Sequence, residues 1–390
     1  MLDFDREAFL ETCWQRKPCL IRNPWPAWRN PLEPEELAGL ACEDDVEARL
    51  VTRRAGSWIA EHGPFAERRF DTPDTWPWTL LVQAVDHLVP DVAALIEPFR
   101  FVPNWRIDDV MVSYATDGGG VGPHYDQYDV FLIQGLGQRR WRVGGRCDET
   151  TPLLPHDDLR LLAGFETADE WVLGPGDILY IPPGIAHEGT AVGDDCMTYS
   201  VGFRAPSRSE MIAHWCDHVL EDLGEDDRYE DRLGAPGTFT QANPGEIAPG
   251  ALAGLHAMVT ERMLDRAGFA RWFGQYNSQR KYPEIDWRPL EPLTSEIALS
   301  RIGSGVAFRR NPASRFAFVR TGAEALTLFV DGAAMDCVGS TCALAEQICA
   351  QSEIVIDHAA PGLAEIAQLV AQLANQGSAA FDDDGDGDGD

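Results

Sequence analysis

The sequence predicts a mixed α/β chain organised around a central β-barrel or jelly roll. Three observations carry that expectation. Between residues 108 and 203 the segments DVMVSYA, YDVFLIQ, RRWRVG, EWVLGPGDILYIPP and CMTYSVGF are short and rich in β-branched and aromatic residues. Glycine or proline turns separate them, the spacing of a barrel or jelly roll. Before and after this block the texture is helical, and near Arg288 a third, α+β texture begins.

The first hundred residues read as helices and loops. AFLETCWQRKPCLIRNPW holds an amphipathic helix that ends near Pro18, where the missing N–H breaks the ladder, and then a short strand. PEELAGLAC reads as a helix opened by its proline. After Pro206, SEMIAHWCDHVLEDLG and ALAGLHAMVTERMLDRAGFARWF carry apolar residues at helical spacing, Leu252, Leu255, Val259 and Met263 among them. The polar run GEDDRYEDRLGAPGTFTQANPGE between them reads as a long loop. FAFVRTGAEALTLFVDG gives two strands with Asp331-Gly332 as a turn, and CALAEQICA and LAEIAQLVAQLA give two helices. The closing FDDDGDGDGD has nothing from which to build a core and reads as disordered. The expected divisions are 1–207, 208–287, 288–378 and an acidic tail at 379–390.

Composition narrows the function. With 63 acidic against 32 basic residues the net charge is −31, a field that repels nucleic acids and anionic membranes and favours basic partners. No run approaches the roughly 18 apolar residues needed to cross a bilayer. The N-terminus is acidic and amphipathic and lacks the pattern of a signal peptide, so the expected location is cytoplasmic. The nine cysteines are scattered without a C-x-x-C and are expected to be reduced thiols.

One stretch carries chemistry. In GPHYDQYDVFLIQGLGQRRWRV, His124 and Asp126 stand one residue apart, after a glycine-rich entry and before an apolar run. Alternate residues of a strand share a face, so the two side chains point the same way. They make two-thirds of a 2-His-1-carboxylate site. His187, in GDILYIPPGIAHEG, is the candidate third ligand. Such a triad leaves open positions on an octahedral iron. H-x-D alone is commonplace; the glycine-rich entry and the P-P-G-x-x-H segment give it meaning.

G-x5-H-x-D from Gly118 and G-x5-P-x-G-x2-H from Gly176 resemble the two metal motifs of the cupin superfamily. Residues 1 to about 206 resemble the JmjC-type 2-oxoglutarate oxygenases. HYDQYDVFLIQGLGQRRWRVG, PGDILYIPPGIAHEG and YSVGFRAP are similar to the bacterial ribosomal protein arginine hydroxylases. The resemblance implies a double-stranded β-helix (jelly-roll) barrel, a helical dimerisation region and a winged-helix-like α+β domain. It reaches nearly everything but the acidic tail.

The resemblance further implies Fe(II) held by His124, Asp126 and His187, with 2-oxoglutarate and dioxygen as cosubstrates. It assigns the distal carboxylate of 2-oxoglutarate to Arg139, with Arg140 as the alternative, since neighbours in a strand cannot both face inward. Guanidinium suits the task because it grips a carboxylate through two parallel hydrogen bonds. Ser113 would add a hydroxyl to the same carboxylate. The implied substrate is the β-carbon of an arginine in a basic large-subunit ribosomal protein, and the implied assembly is a homodimer. Asp117 and Tyr125 are candidates to receive the substrate arginine. The competing functions are an oxygenase acting on another protein side chain or on RNA, and a catalytically silent cupin scaffold. No DNA or membrane partner is expected.

Overall fold

The computed structural model describes residues 3–71, 76–230 and 243–382. Its centre is an antiparallel sheet of nine strands: β1 (Cys19–Ile21), β2 (Ala48–Arg54), β3 (Ser57–His62), β4 (Trp78–Val82), β5 (Ile107–Ala115), β6 (Asp129–Arg146), β7 (Asp169–Leu173), β8 (Ile178–Ile181) and β9 (Ile185–Phe203). They lie in the order β1-β8-β6-β9-β5-β4-β2-β3, with β7 also on β6. The long strands β6 and β9 pair from Asp129–Phe203 to Arg146–Ile185, with irregularities between Gln134 and Gln138 and between Val143 and Arg146. Such irregularities bend the strands and raise their twist, which curls the sheet.

Both faces of the central strands are buried, so their sequences read as continuous apolar runs. On one face Phe131, Ile133, Tyr180, Tyr199 and Phe203 pack against Phe9 and Phe99. On the other Val130, Leu132, Trp141, Val143, Leu173 and Ile181 form an inner lining. The helix Arg6–Thr12, capped by Asp5, contributes Phe9 to the outer core.

The expectation of helices, loops and one short strand over the first hundred residues needs correction: the short strand is β1, but it has company. The strands β2, β3 and β4 extend the sheet there, with β2 and β3 joined by a turn at Ala55-Gly56. Their alternation is diluted because β3 is an edge strand with one solvated face and β2 ends in arginines.

After the barrel come helices Arg208–Glu221, Pro249–Met263 and Arg266–Asn277. The C-terminal part holds helices Ser295–Gly303, Ser340–Ala350 and Leu363–Asn375 with two small antiparallel sheets. One contains β10 (Phe308–Arg310), β14 (Glu353–Ile354) and β15 (Ala379–Phe381); the other contains β11 (Phe316–Gly322), β12 (Ala325–Val330) and β13 (Ala333–Val338). The Asp331-Gly332 turn is as expected, both residues having positive φ, and it leads into β13. Residues 379–381, expected within the disordered tail, instead pair with β10, because Phe381 can cover Phe308. The rest of the tail from 383, and 231–242 of the polar loop, lie outside the described residues.

An ionic knot ties the parts together. At the start of β5, Asp108 and Asp109 both accept from Lys281 Nζ, at 3.3 and 2.7 Å, and Asp108 also accepts from Arg315 at 2.6 Å. Burial alone would lower Lys281, but the two carboxylates hold it above its ordinary value. Packing supports the knot: helix Arg266–Asn277 meets β12 at Gly274, where a Cβ would land on the ring of Phe329. Gly274→Ala is therefore expected to destabilise by about 1–3 kcal/mol, the usual cost of overpacking, read from chemical denaturation. An unchanged midpoint would contradict this contact.

Candidate active site

The strand expected at His124 begins only at Asp129. His124 and Asp126 sit instead in an extended segment strapped to β9. His124 N–H donates to the His187 carbonyl at 3.0 Å, and His187 N–H donates back to the His124 carbonyl at 2.8 Å. Upstream, Ala191 N–H donates to the Gly119 carbonyl at 2.8 Å and Gly118 N–H to the Ala191 carbonyl at 3.1 Å. The glycine-rich entry makes this possible. A Cβ at Gly120 would strike the backbone oxygen of Gly189.

The strap brings the three expected ligands together. His124, Asp126 and His187 offer ligand atoms that all lie within 4.8 Å of one another, the one such group among the described residues. The Nε2 atoms of His187 and His124 are 3.5 and 4.0 Å from Asp126 Oδ2. Each Nδ1 lies 2.9 Å from a backbone carbonyl, Gly122 for His124 and Ile185 for His187. A carbonyl only accepts, so each Nδ1 carries the proton and each Nε2 presents a lone pair to the centre. Burial, reinforced by the neighbouring His124, pushes His187 down to about 4, which keeps it neutral. Two neutral imidazoles and a carboxylate suit a divalent cation of the iron type.

Arg139 and Arg140 are separated as strand alternation demands. Arg139 faces inward opposite Ala191 of β9 and is 4% exposed, whereas Arg140 is half exposed and lies 3.6 Å from Glu170. The Nε and Nη2 of Arg139 are buried without a hydrogen-bond acceptor, and its guanidinium lies 5.8 Å from the Trp141 ring. A buried cation with unmet donors is costly unless an anion reaches it. Ser113 is buried on β5, opposite Thr198, whose carbonyl accepts its hydroxyl at 3.5 Å. Between these strands Ala115, Ala191 and Cys196 form a small apolar cluster.

The two expected substrate residues have partners of their own. Asp117 is exposed and its Oδ1 accepts from Gly193 N–H at 2.7 Å, bracing the irregular stretch of β9 opposite Leu136–Gln138. The Tyr125 hydroxyl donates to the Asp148 carbonyl at 2.8 Å, away from the side on which its neighbours converge. Trp141 was not expected; its ring lies 5.9 Å from that of His187 and beside Arg139. Strand alternation from Arg139 already put it on the inner face. A cleft of ≈ 770 Å³ adjoins the ligand segment and is lined by Gln127, Tyr128, Met111 and Ser200, with Asp109 and Glu210 on its walls.

An antiparallel jelly-roll barrel with two histidines and an aspartate converging beside a buried arginine defines a JmjC-type, metal-dependent oxygenase. Residues 94–211 match the JmjC domain family and residues 261–380 match the ROXA-like winged helix. The chain is 44% identical over 284 residues to the ribosomal protein uL16 3-hydroxylase of Escherichia coli, spanning 73% of this chain and 74% of that protein. It superposes on a crystal structure of Escherichia coli YcfD with a TM-score of 0.87 and 35% identity, over 98% of this chain and 99% of the other. The structure of YcfD, a ribosomal oxygenase, in complex with cobalt and 2-oxoglutarate matches with a TM-score of 0.85, 35% identity and the same coverage. The chain belongs to the bacterial JmjC ribosomal oxygenases.

An unpaired buried charge has a stability signature. Ligand-free Arg139→Met is expected to unfold no earlier than the wild type and to gain up to about 3 kcal/mol in urea. Arg140→Met should stay within about 0.5 kcal/mol. A large loss for Arg139→Met would mean that Arg139 already has its partner within the chain.

Proposed function

We propose that this chain is an Fe(II)- and 2-oxoglutarate-dependent oxygenase that hydroxylates the β-carbon of an arginine in a large-subunit ribosomal protein. The observation that carries the reading is the buried, unpartnered guanidinium of Arg139 on the barrel wall that also holds the His124, Asp126 and His187 cluster. Iron and 2-oxoglutarate, when bound, supply the activation of dioxygen that hydroxylation of an unactivated carbon requires.

The residues do the rest. The Nε2 atoms of His124 and His187 and a carboxylate oxygen of Asp126 would hold the metal on one face, leaving positions for both cosubstrates. Arg139 would grip the distal carboxylate through the donors now unmet, with the Ser113 hydroxyl adding a hydrogen bond. Trp141 packs beside both Arg139 and His187, its ring 5.8 Å from the Arg139 guanidinium and 5.9 Å from the His187 ring. The net charge of −31 favours a basic protein over RNA or DNA. Asp117 and Tyr125 would receive the substrate arginine only by adding it to the hydrogen bonds they already make. A silent scaffold would have no use for a buried cation that costs stability while unpaired.

The chain would act as a homodimer. Leu252, Leu255 and Val259 stand 53%, 43% and 65% exposed along helix Pro249–Met263, an apolar stripe suited to a second copy. Among the described residues no helix is long and apolar enough to cross a membrane.

The protein, Fe(II), 2-oxoglutarate and the host's ribosomal proteins, incubated aerobically, should yield one protein gaining an oxygen on arginine by mass spectrometry. His187→Ala should abolish both this and succinate formation; survival of either sinks the catalytic assignment. Adding 2-oxoglutarate to the cobalt-loaded wild type should raise its melting temperature, and Arg139→Met should lose that shift while Arg140→Met keeps it. Equal shifts in both variants would remove Arg139 from the anchor role. Leu255→Asp with Val259→Asp should give a monomer by light scattering; a dimer would place the interface elsewhere.

A further inference from the structure

A second cavity lies far from these motifs in sequence, between the barrel's 86–108 segment and the C-terminal part. Its volume is ≈ 390 Å³, and five arginines and four acidic residues line it. In a chain of net charge −31 such a cationic lining is unexpected. The acids are largely committed. Glu97 lies 2.8 Å from Arg100, Glu353 lies 3.1 Å from Arg309, and Asp108 serves Lys281 and Arg315. Asp86 is buried, lies 3.9 Å from His87 Nε2, and accepts from Val110 N–H at 2.7 Å. Burial, and then the charge of Asp109, pushes Asp86 up to about 8, toward its neutral form.

Arg310 is left over. It ends β10, with its backbone N–H on the Ser352 carbonyl at 2.8 Å. Its guanidinium lies 5.5 Å from the Phe316 ring and, among the described residues, has no hydrogen-bonded acceptor and no ion-pair partner. Burial and the like charge of Arg100 pull it down to about 10. A guanidinium nevertheless stays protonated, and Arg310 is half-buried, so it offers a fixed positive charge that an anion entering the cavity can reach. Ile96, Trp105 and Phe316 supply apolar wall beside it.

We propose that this cavity is a binding site for a phosphate group, with Arg310 as its principal ligand and Arg100 and Arg309 at its rim. Planar guanidinium donors match tetrahedral phosphate oxygens, and the volume accommodates either free phosphate or a nucleoside monophosphate. The proposal does not rest on the oxygenase reading, and its test needs no turnover.

Titration calorimetry on the full-length protein, at fixed ionic strength in a phosphate-free buffer, measures binding of inorganic phosphate and of adenosine monophosphate. Wild type should bind, Arg310→Met should weaken binding by about tenfold or more, and Arg310→Lys should recover part of it. Arg320→Met, an exposed site already paired with Glu346, should bind like the wild type. Tighter binding of the nucleotide than of phosphate supports a site that also uses the apolar wall; equal binding supports free phosphate. Should Arg310→Met fail to fold by circular dichroism, Arg100→Met replaces it, with a loss of severalfold expected. Absence of binding to the wild type, or affinity unchanged in the folded Arg310 or Arg100 variant, overturns the proposal.

Discussion

Two backbone hydrogen bonds between His124 and His187, at 3.0 and 2.8 Å, hold the site together. They fix a segment that is not itself a strand against the last strand of the barrel. Because the pairing is through the main chain, it sets the distance between two side chains remote in sequence without involving either imidazole. The rings are then free to spend Nδ1 on local carbonyls and to turn Nε2 inward. The strap can lie so close because Gly120 has no Cβ to collide with Gly189.

The second constraint is electrostatic. The barrel wall encloses the guanidinium of Arg139 with no anion to meet it among the described residues. Evolution normally pairs such a group, since an unpaired buried charge costs several kcal/mol on the order of its desolvation. The donors left unmet are the ones that the proposed anchoring of a 2-oxoglutarate carboxylate would use. Arg310, half-buried beside the Phe316 ring, likewise differs from the many arginines here that have carboxylate partners.

The sequence made the ligands legible because metal chemistry restricts residue type and spacing. His124, Asp126 and His187 converge as their motifs implied, and Arg139 and Arg140 face opposite ways as alternation required, although alternation did not say which of them faces inward. The local conformation was less visible. His124-Tyr125-Asp126 looked like strand, yet it is a strap whose register comes from β9, a contact no window of sequence contains. The hairpin of β2 and β3 was hidden because its exposed face carries arginine and other polar residues among the apolar ones. Asp117 and Tyr125 looked available, but a β9 amide and a loop carbonyl occupy them. The knot of Asp108, Asp109, Lys281 and Arg315 could not be foreseen either, since Lys281 lies 172 residues from Asp109 and Arg315 lies 207 from Asp108.

The most direct measurement is a crystal structure of this protein soaked with cobalt(II) and 2-oxoglutarate under anaerobic conditions, with the metal located by anomalous scattering. The account predicts one cobalt bound by Nε2 of His124, Nε2 of His187 and the carboxylate of Asp126. It also predicts the distal carboxylate of 2-oxoglutarate on the Arg139 guanidinium. Cobalt held by any other set of side chains, or a carboxylate resting on Arg140 with Arg139 still unpaired, would contradict it.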